Sequence, residues 1–268
     1  MGNRVERKVA VVTGAGSGMG RAGAVLLAAE GAKVVVADIQ EAAGRRVAES
    51  IVNAGGEAAS VPVDVRSVES VKDLVRKTLE RYGRIDVLYH NAVDVHLVNE
   101  QDRRLTELPE EIWDRIVGLV LTGTYRCCKY VGQQMIRQGS GSIILTATTD
   151  ALIGCAGLDA YTAAKGGVVS LTRSFAAGIG KEGIRVNAIC PSFVTTEPQL
   201  RWLEKPGAQE VIASLHLLPI ATPEQIAPLV IYLASDESAV VTGGIFPIDS
   251  GYMAFKADLD VMGTINTR

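Results

Sequence analysis

The sequence predicts one α/β domain in which a parallel sheet of about seven strands is covered by helices on both faces. Short apolar runs alternate with longer amphipathic stretches along nearly all of the 268 residues. The short runs are almost wholly apolar rather than alternating, as expected of strands buried on both faces. Since no Pro/Gly/Ser linker and no internal repeat divides the chain, a single doubly wound domain over residues 1–268 explains the pattern.

The individual elements follow from these runs in chain order. Strands are predicted at residues 9–12, 33–37, 58–63, 87–89, 142–147, 185–189 and 245–248. Helices are predicted up to residue 30 and at residues 41–54, 67–82, 109–137, 161–181 and 223–235. The stretches 94–108 and 195–218 are less regular and follow strand C-termini, where open α/β sheets place their ligands, so they are predicted to form the substrate walls. The tail, residues 252–268, has no clear period and is interpreted as disordered or packed on a neighbouring subunit.

Composition excludes several classes of function. The net charge of −3 and the scattered lysines and arginines give no reason to expect nucleic acid or an anionic membrane as a partner. No apolar stretch is long enough for a membrane span, and no secretory signal is recognised, so a cytoplasmic protein is expected. The four cysteines lack C-x-x-C spacing, and no His/Asp/Glu group has the spacing of metal ligands, so no metal is expected in catalysis.

A glycine-rich turn lies between the first strand and the first helix. The spacing G-x-x-x-G-x-G fits Gly14, Gly18 and Gly20, whereas the related fingerprint G-x-G-x-x-G fails at Met19. Glycine suits this turn because its backbone angles resist side chains and because a pyrophosphate must approach the helix N-terminus without meeting a Cβ. The turn, including Ser17 and Met19, is therefore predicted to hold a dinucleotide; a merely tight loop is the alternative.

Two acidic residues follow the next two strands. Asp38 stands where a carboxylate can accept hydrogen bonds from an adenosine ribose and would repel a 2′-phosphate. Ile39 comes next, so no arginine is there to receive that phosphate, and NAD is favoured over NADP. Asp64 is expected to touch the adenine amino group while Val65 packs on the ring. Capping of the following helix is the alternative for Asp38, whereas Asp64 could cap its helix, touch the adenine or do both.

A tyrosine and a lysine four residues apart open the helix after the fifth strand. Tyr161 and Lys165 share one helix face, so the ammonium can lie near the phenol. Tyrosine titrates at about pH 10 in isolation, and a nearby cation lowers that pKa toward the range of a general acid or base. Thr148 and Thr149 are predicted to end the fifth strand and point into the same crevice. A surface pair is the alternative for Y-x-x-x-K taken alone.

Taken in order, these motifs resemble those of the short-chain dehydrogenase/reductase family from residue 9 to about residue 253. The matching pieces are residues 13–20, 38, 64–65, 91–92, 161–165, 187–191, 194–196, 242–244 and 249–251. The resemblance implies a Rossmann-like domain that binds NAD(H) or NADP(H) and interconverts an alcohol and a carbonyl compound. It also implies a homotetramer, which is common in the family.

Carried over residue by residue, the resemblance assigns roles. Tyr161 becomes the acid/base, Lys165 lowers its pKa and holds the nicotinamide ribose, and Thr148 hydrogen-bonds the substrate oxygen where the family usually has serine. Further residues would help to seat the cofactor: Asn91, Pro191, Val194 and Thr195.

The chain departs from the family pattern in three places. Val93 and Ser192 replace glycines, and Val120 stands where the family has its catalytic asparagine. That asparagine helps to hold a water that relays protons from the lysine to solvent, and valine cannot do this. The departure at Val120 leaves three outcomes open: a rerouted relay, slowed turnover, or lost catalysis.

Two functions of different classes follow. The first is an NAD-dependent oxidoreductase that transfers hydride between nicotinamide and a secondary alcohol or ketone. The second is a catalytically weak dinucleotide-binding regulator or scaffold. A sugar-nucleotide epimerase or dehydratase shares the cofactor fold but usually needs a larger C-terminal substrate region.

Three histidines and one charged run are the remaining candidates for site residues. His90 is expected in the core, while His96 and His216 are candidates for the substrate site. The run at residues 100–104 is interpreted as a solvated loop face, with arginines meeting an anionic substrate as the alternative.

Overall fold

The computed structural model describes residues 3–254 and contains a wholly parallel seven-stranded sheet. The strands are β1 (Val9–Thr13), β2 (Lys33–Asp38), β3 (Glu57–Pro62), β4 (Val87–His90), β5 (Gly141–Thr146), β6 (Ile184–Pro191) and β7 (Ile245–Ile248). Their order in the sheet is β3-β2-β1-β4-β5-β6-β7. The order reverses direction between β1 and β4, which defines a doubly wound topology with its switch point at that pair.

Helices connect the strands and cover both faces of the sheet. They are α1 (Gly18–Ala29), α2 (Glu41–Asn53), α3 (Val68–Tyr82), α4 (Val95–Gln101), α5 (Glu110–Val117), α6 (Gly123–Gln138), α7 (Asp150–Ile153), α8 (Asp159–Ile179), α9 (Glu197–Leu203), α10 (Ala208–Ser214) and α11 (Pro223–Ala234). On one face α3, α6 and α8 pack against strand residues such as Leu88 and Ile143. On the other face α1, α2 and α11 pack against Tyr89 and Ile144. The predicted doubly wound α/β fold is confirmed.

The predicted helix at residues 109–137 is interrupted. A π-helical turn, Gly118–Thr122, separates α5 from α6, and the Gly123 N–H reaches back to the carbonyl of Gly118. Such single-turn insertions often occur at functional sites. The hydrophobic period could not reveal the turn, because the residues on either side of it remain helical.

The two stretches expected to be irregular are partly helical. The first contains α4 and a 3₁₀ turn at Leu105–Glu107, and the second contains α9 and α10. No helix in residues 3–254 is long and apolar enough to cross a membrane. The predicted tail falls outside the described residues from position 255 onward.

Candidate active site

The carboxyl ends of β1 and β4 meet at the switch point of the sheet. Thr13 pairs with His90 there, and Thr13 Oγ1 lies 2.8 Å from His90 Nδ1. Open α/β sheets bind ligands beyond strand ends at such a point. The segments that leave β1, β4, β5 and β6 therefore define the candidate site.

The glycine turn is built around close backbone contacts. Gly14 and Gly18 have φ angles of +62° and +50°, which side chains rarely adopt. A Cβ on Gly14 would lie 2.8 Å from Cα of Ala92, and one on Gly18 would lie 3.1 Å from Cγ2 of Thr196. Ser17 precedes α1 without capping it through its side chain, so the first N–H groups of the helix stay available to an anion. This turn fits the pyrophosphate of a dinucleotide.

Asp38 is held against the glycine turn. Its Oδ2 accepts from the backbone N–H of Gly16 at 2.8 Å, and its Oδ1 accepts from that of Gln40 at the same distance. Gln40 precedes α2, so Asp38 bonds the residue before the helix rather than its first turn. The carboxylate stays partly exposed, and the adjacent Ile39 side chain is 58% exposed. A negative charge therefore lies at the edge of the turn.

Asp64 and Val65 form a second corner of the predicted cofactor site. The Asp64 carboxylate pairs with Arg66 at 3.0 Å, and this hydrogen bond holds the pKa of Asp64 below its usual value. Ser67 provides the side-chain cap of α3, so the capping alternative for Asp64 is wrong. Val65 is buried against Gly123, where a Cβ would lie 2.8 Å from Cγ2 of Val65.

A cleft of about 450 Å³ opens beside the glycine turn. Thr148 and Tyr161 of the predicted catalytic set line it, together with Met19 and Val194 of the predicted cofactor set. The geometry thus brings these four residues, which lie far apart in sequence, around one cavity, whereas Lys165 and the other predicted cofactor residues are not among those that line it.

The two threonines lie beyond the end of their strand. Since β5 ends at Thr146, the prediction that Thr148 and Thr149 end the strand was two to three residues too long. Both hydroxyl oxygens lie 3.4 Å from the carbonyl oxygen of Pro191. Both residues are buried and line the cleft.

The pKa of Tyr161 in the Tyr161–Lys165 pair differs from what the sequence predicts. Lys165 Nζ lies 5.6 Å from the centre of the Tyr161 ring and donates to the carbonyl of Thr146 at 2.5 Å. Burial lowers the pKa of Lys165 to about 8. Burial, followed by the charges of Asp150 and Cys190, raises the pKa of Tyr161. The expected lowering of the tyrosine pKa is therefore not found, because the ammonium faces a carbonyl and the phenol is enclosed.

Asn91 links three strands at the switch point. Its Oδ1 accepts from Thr146 Oγ1 at 3.1 Å, and its backbone N–H donates to Thr13 Oγ1 at 3.2 Å. The side chain is buried. These bonds fix the loop after β4, on which Gly14 packs.

Val120 is part of the wall behind Tyr161. It is 1% exposed and lies in the π-helical turn. Its side chain belongs to an apolar cluster with Ile116 and Ala164, against which Tyr161 packs. Its carbonyl accepts from Thr124 Oγ1 at 2.5 Å. The position is hydrophobic, so no polar side chain there can hold a relaying water.

Thr196 fits the cofactor site better than the predicted Thr195. The backbone N–H and the hydroxyl of Thr195 both donate to the carbonyl of Ala221, at 2.9 and 3.3 Å. Thr196 packs against Gly18, and its buried Oγ1 has no hydrogen-bond partner among the described residues. A buried orphan hydroxyl beside an anion-binding turn indicates a missing polar ligand. The prediction named Thr195, the other member of this threonine pair.

Asp102 is a site residue that the sequence did not reveal. It is 3% exposed, so the interpretation of residues 100–104 as a solvated face is wrong for it. Its carboxylate accepts from the backbone N–H groups of Ala160 and Tyr161, at 3.2 and 2.9 Å, and thereby caps α8 from a distant loop. The Arg103 side chain donates to backbone carbonyls rather than entering the cleft.

Replacing Asp102 should disturb the helix that presents Tyr161. The change Asp102→Ala leaves two buried N–H groups without their acceptor, and we expect about 2–3 kcal/mol less stability. Turnover should also fall more than cofactor binding, because the first turn of α8 shifts. Urea unfolding and NADH titration measure both, with the exposed Asp114→Ala as the matched control. Equal stability of the two variants would contradict the capping role.

The histidines divide as follows. Burial, followed by the charge of Lys165, lowers the pKa of His90 to about 3, so it is a neutral core residue. His96 lies on the exposed face of α4, 3.6 Å from Glu100, and not at the cleft. His216 does line the cleft. Within residues 3–254, no group of three or more His, Cys, Asp or Glu side chains could hold a metal ion.

Comparisons with known proteins agree with this geometry. A family model described as enoyl-(acyl carrier protein) reductase matches residues 14–253. An uncharacterized oxidoreductase of Thermotoga maritima is 39% identical, over 92% of this chain and 96% of that protein. Meso-2,3-butanediol dehydrogenase of Serratia marcescens is 38% identical, over 94% and 96%. The crystal structure of levodione reductase superposes with a TM-score of 0.88 at 32% identity, covering 94% of this chain and all of that one.

The match extends over the glycine turn, the cleft and the Tyr161–Lys165 helix, and the relatives are oxidoreductases. The resemblance read from the sequence is confirmed: the chain is an oxidoreductase that belongs to the short-chain dehydrogenase/reductase family.

Proposed function

We propose that the protein is an NAD-dependent oxidoreductase that interconverts a secondary alcohol and a ketone, with Tyr161 as the acid/base. The observation that carries this proposal is the cleft itself. Thr148 and Tyr161 both line it, beside a glycine turn suited to a dinucleotide, and this supports the proposal.

The chain's own residues account for the movement of the proton. In the reducing direction, the Tyr161 phenol donates a proton to the substrate oxygen while the Thr148 hydroxyl hydrogen-bonds the same oxygen. The Lys165 ammonium lies 5.6 Å from the centre of that ring. When bound, the nicotinamide supplies the hydride. Oxidation of the alcohol reverses each step.

Several residues are proposed to hold the dinucleotide. The turn of Gly14, Gly18 and Gly20 takes the pyrophosphate, and the buried Thr196 hydroxyl beside Gly18 adds a donor. Further along the site we propose Ser17, Met19, Asp64, Val65, Asn91, Pro191 and Val194, with Lys165 on the nicotinamide ribose.

We expect NADH to bind at least about tenfold more tightly than NADPH, because the Asp38 charge repels a 2′-phosphate. The change Asp38→Asn removes the charge but leaves a side-chain oxygen that can accept a hydrogen bond. It should bring the Kd values of NADH and NADPH closer together. Fluorescence titration of both cofactors measures it, with Glu41→Gln on the exposed start of α2 as the control. Tighter binding of NADPH by the unchanged protein would overturn the assignment of NAD.

The second candidate is a dinucleotide-binding regulator or scaffold with weak catalysis. The apolar environment of Val120 favours it, because the side chain there cannot hold a relaying water. The two candidates differ in one measurable property: only an enzyme transfers hydride to a carbonyl compound. A homotetramer is proposed from the family alone, and light scattering tests it. A cytoplasmic location is proposed from the sequence, whose four cysteines lack C-x-x-C spacing.

A further inference from the structure

The cleft has an unusual distribution of charge. Of the described residues that line it, none is a lysine or arginine, and Asp150 is the one carboxylate. The nearest buried cation, Lys165, faces the carbonyl of Thr146 instead. An anionic substrate would therefore meet a negative charge at the site without a matching positive one.

Asp150 stands directly beside the hydroxyl proposed to hold the substrate oxygen. Thr148 Oγ1 donates to Asp150 Oδ2 at 3.2 Å, and the backbone N–H of Asp150 donates to Thr148 Oγ1 at 3.3 Å. No donor of the described residues hydrogen-bonds Oδ1 of this carboxylate. Since an ionised carboxylate can accept about four hydrogen bonds, most of its capacity is available to a ligand.

The charge of Asp150 affects the pKa values of three other residues that line the cleft. Burial, followed by Asp150, raises the pKa of Cys155 and of Tyr252 on the cleft wall, as it does for Tyr161. Burial also raises the pKa of Asp150 itself, against the hydrogen bond from Thr148. Holding a carboxylate in this enclosed place is costly unless something in the cleft donates to it.

His216 does not supply the missing positive partner. Its Nδ1 lies 2.7 Å from the carbonyl oxygen of Ile212, and its Nε2 lies 3.0 Å from Ser192 Oγ. Both ring nitrogens are therefore engaged by the protein. A substrate carboxylate would have to break one of these contacts to gain a partner.

The spacing of the Thr148 and Asp150 side-chain oxygens suggests which substrates the cleft binds. Adjacent hydroxyls on neighbouring carbons lie about 3 Å apart, at hydrogen-bond separation, and Thr148 Oγ1 and Asp150 Oδ2 are 3.2 Å apart. We propose that Asp150 sets substrate specificity: the cleft takes neutral vicinal diols and the matching hydroxyketones, and rejects carboxylates. The Thr148 hydroxyl turns its proton from Asp150 to the reacting oxygen, which Tyr161 also contacts, and the second hydroxyl of the substrate donates to the Asp150 carboxylate in its place. This inference rests on the proposed function and names the substrate class for the same site.

A substrate panel tests the proposal. The probes are 2,3-butanediol, 2-butanol and 3-hydroxybutyrate, which share a secondary alcohol and differ in its neighbour. We expect the kcat/KM of the diol to exceed that of 2-butanol by about tenfold or more, the range of one hydrogen bond to a charged group. The carboxylate should be the poorest of the three. Asp150→Asn should reduce the ratio of diol to carboxylate by about tenfold or more, for the same reason.

The control is Glu100→Gln, which removes one negative charge from the exposed face of α4 and should leave the ratio unchanged. Equal turnover of diol and carboxylate by the unchanged protein would overturn the proposal, as would a ratio that Asp150→Asn does not alter.

A binding measurement distinguishes a failure of this proposal from a failure of the proposed function. The same three probes are titrated into the protein–NADH complex, where none of the alcohols can react. Preference for the diol without any turnover would support the role of Asp150 and refute the oxidoreductase proposal. Turnover without discrimination among the probes would support the oxidoreductase proposal and refute the role of Asp150. If the protein showed no turnover and no discrimination, both proposals would be wrong.

Discussion

Tyr161→Phe is expected to abolish most of the turnover while the protein stays folded and still binds NADH. Tyr161 and Thr148 line the same cleft, the phenol is proposed to donate the proton to the substrate oxygen, and general acid/base groups contribute about 10²–10⁴-fold to rate. We therefore expect a loss of about 10³-fold in kcat. Steady-state turnover of NADH measures it.

The control for this variant is Tyr252→Phe, which makes the same change on another tyrosine of the cleft. Tyr252 packs on His216, with ring centroids 5.2 Å apart, and has no proposed part in proton transfer. Its variant should keep most of the turnover. If both variants lost activity equally, the acid/base role of Tyr161 would be wrong.

The raised pKa of Tyr161 also fixes the sign of the pH dependence. Reduction of a ketone needs the protonated phenol, so its rate should be flat near neutral pH and fall only at strongly alkaline pH. Oxidation of an alcohol needs the phenolate, so its rate should rise as the pH is raised from neutral to strongly alkaline values. The Tyr161→Phe variant should lose this dependence in both directions.

Gly20→Ala is expected to have the largest effect on the cofactor site. A Cβ at this position would lie 2.8 Å from the carbonyl carbon of Gly14 and closer still to its oxygen. Both atoms belong to the backbone of the turn, so the turn must move. We expect a loss of about 3 kcal/mol or more in unfolding free energy and a loss of about tenfold or more in NADH affinity.

Gly178→Ala provides the matched control. Gly178 lies inside α8, and a Cβ there would have no heavy atom within 4 Å. Alanine is the better helix former, so this variant should gain up to about 1 kcal/mol. Urea unfolding and NADH titration separate the two variants. Similar stabilities would show that the close approach at Gly20 does not constrain the turn.

Much of the fold could be predicted because buried parallel strands have a simple signature. The apolar runs located all seven strands to within a few residues. The π-helical turn around Val120 could not be predicted, since it preserves the hydrophobic face of the helices on either side. The short helices α4, α9 and α10 lack enough turns to establish a period.

The site could be predicted where one short motif carries the chemistry and not where distant segments meet. The glycine turn and the Tyr161–Lys165 spacing are local, and both lie at the predicted place. Asp102 lies 59 residues from Tyr161 in the chain, so its capping contact depends on tertiary structure alone. The role of Asp150 could not be predicted for another reason. It depends on the absence of lysine and arginine from the described residues that line the cleft, which the sequence around Asp150 does not show.

Transfer of deuterium tests the central claim most directly. The unchanged protein is incubated with NADH that carries deuterium at both positions of nicotinamide C4 and with acetoin, the hydroxyketone of the butanediol pair, as well as with simple ketones. Mass spectrometry then locates the label. An NAD-dependent oxidoreductase places deuterium on the carbinol carbon of the product alcohol, in an amount equal to the NADH consumed, and Tyr161→Phe nearly abolishes the transfer. Tight NADH binding with no deuterium in any product would contradict the account and leave the dinucleotide-binding regulator.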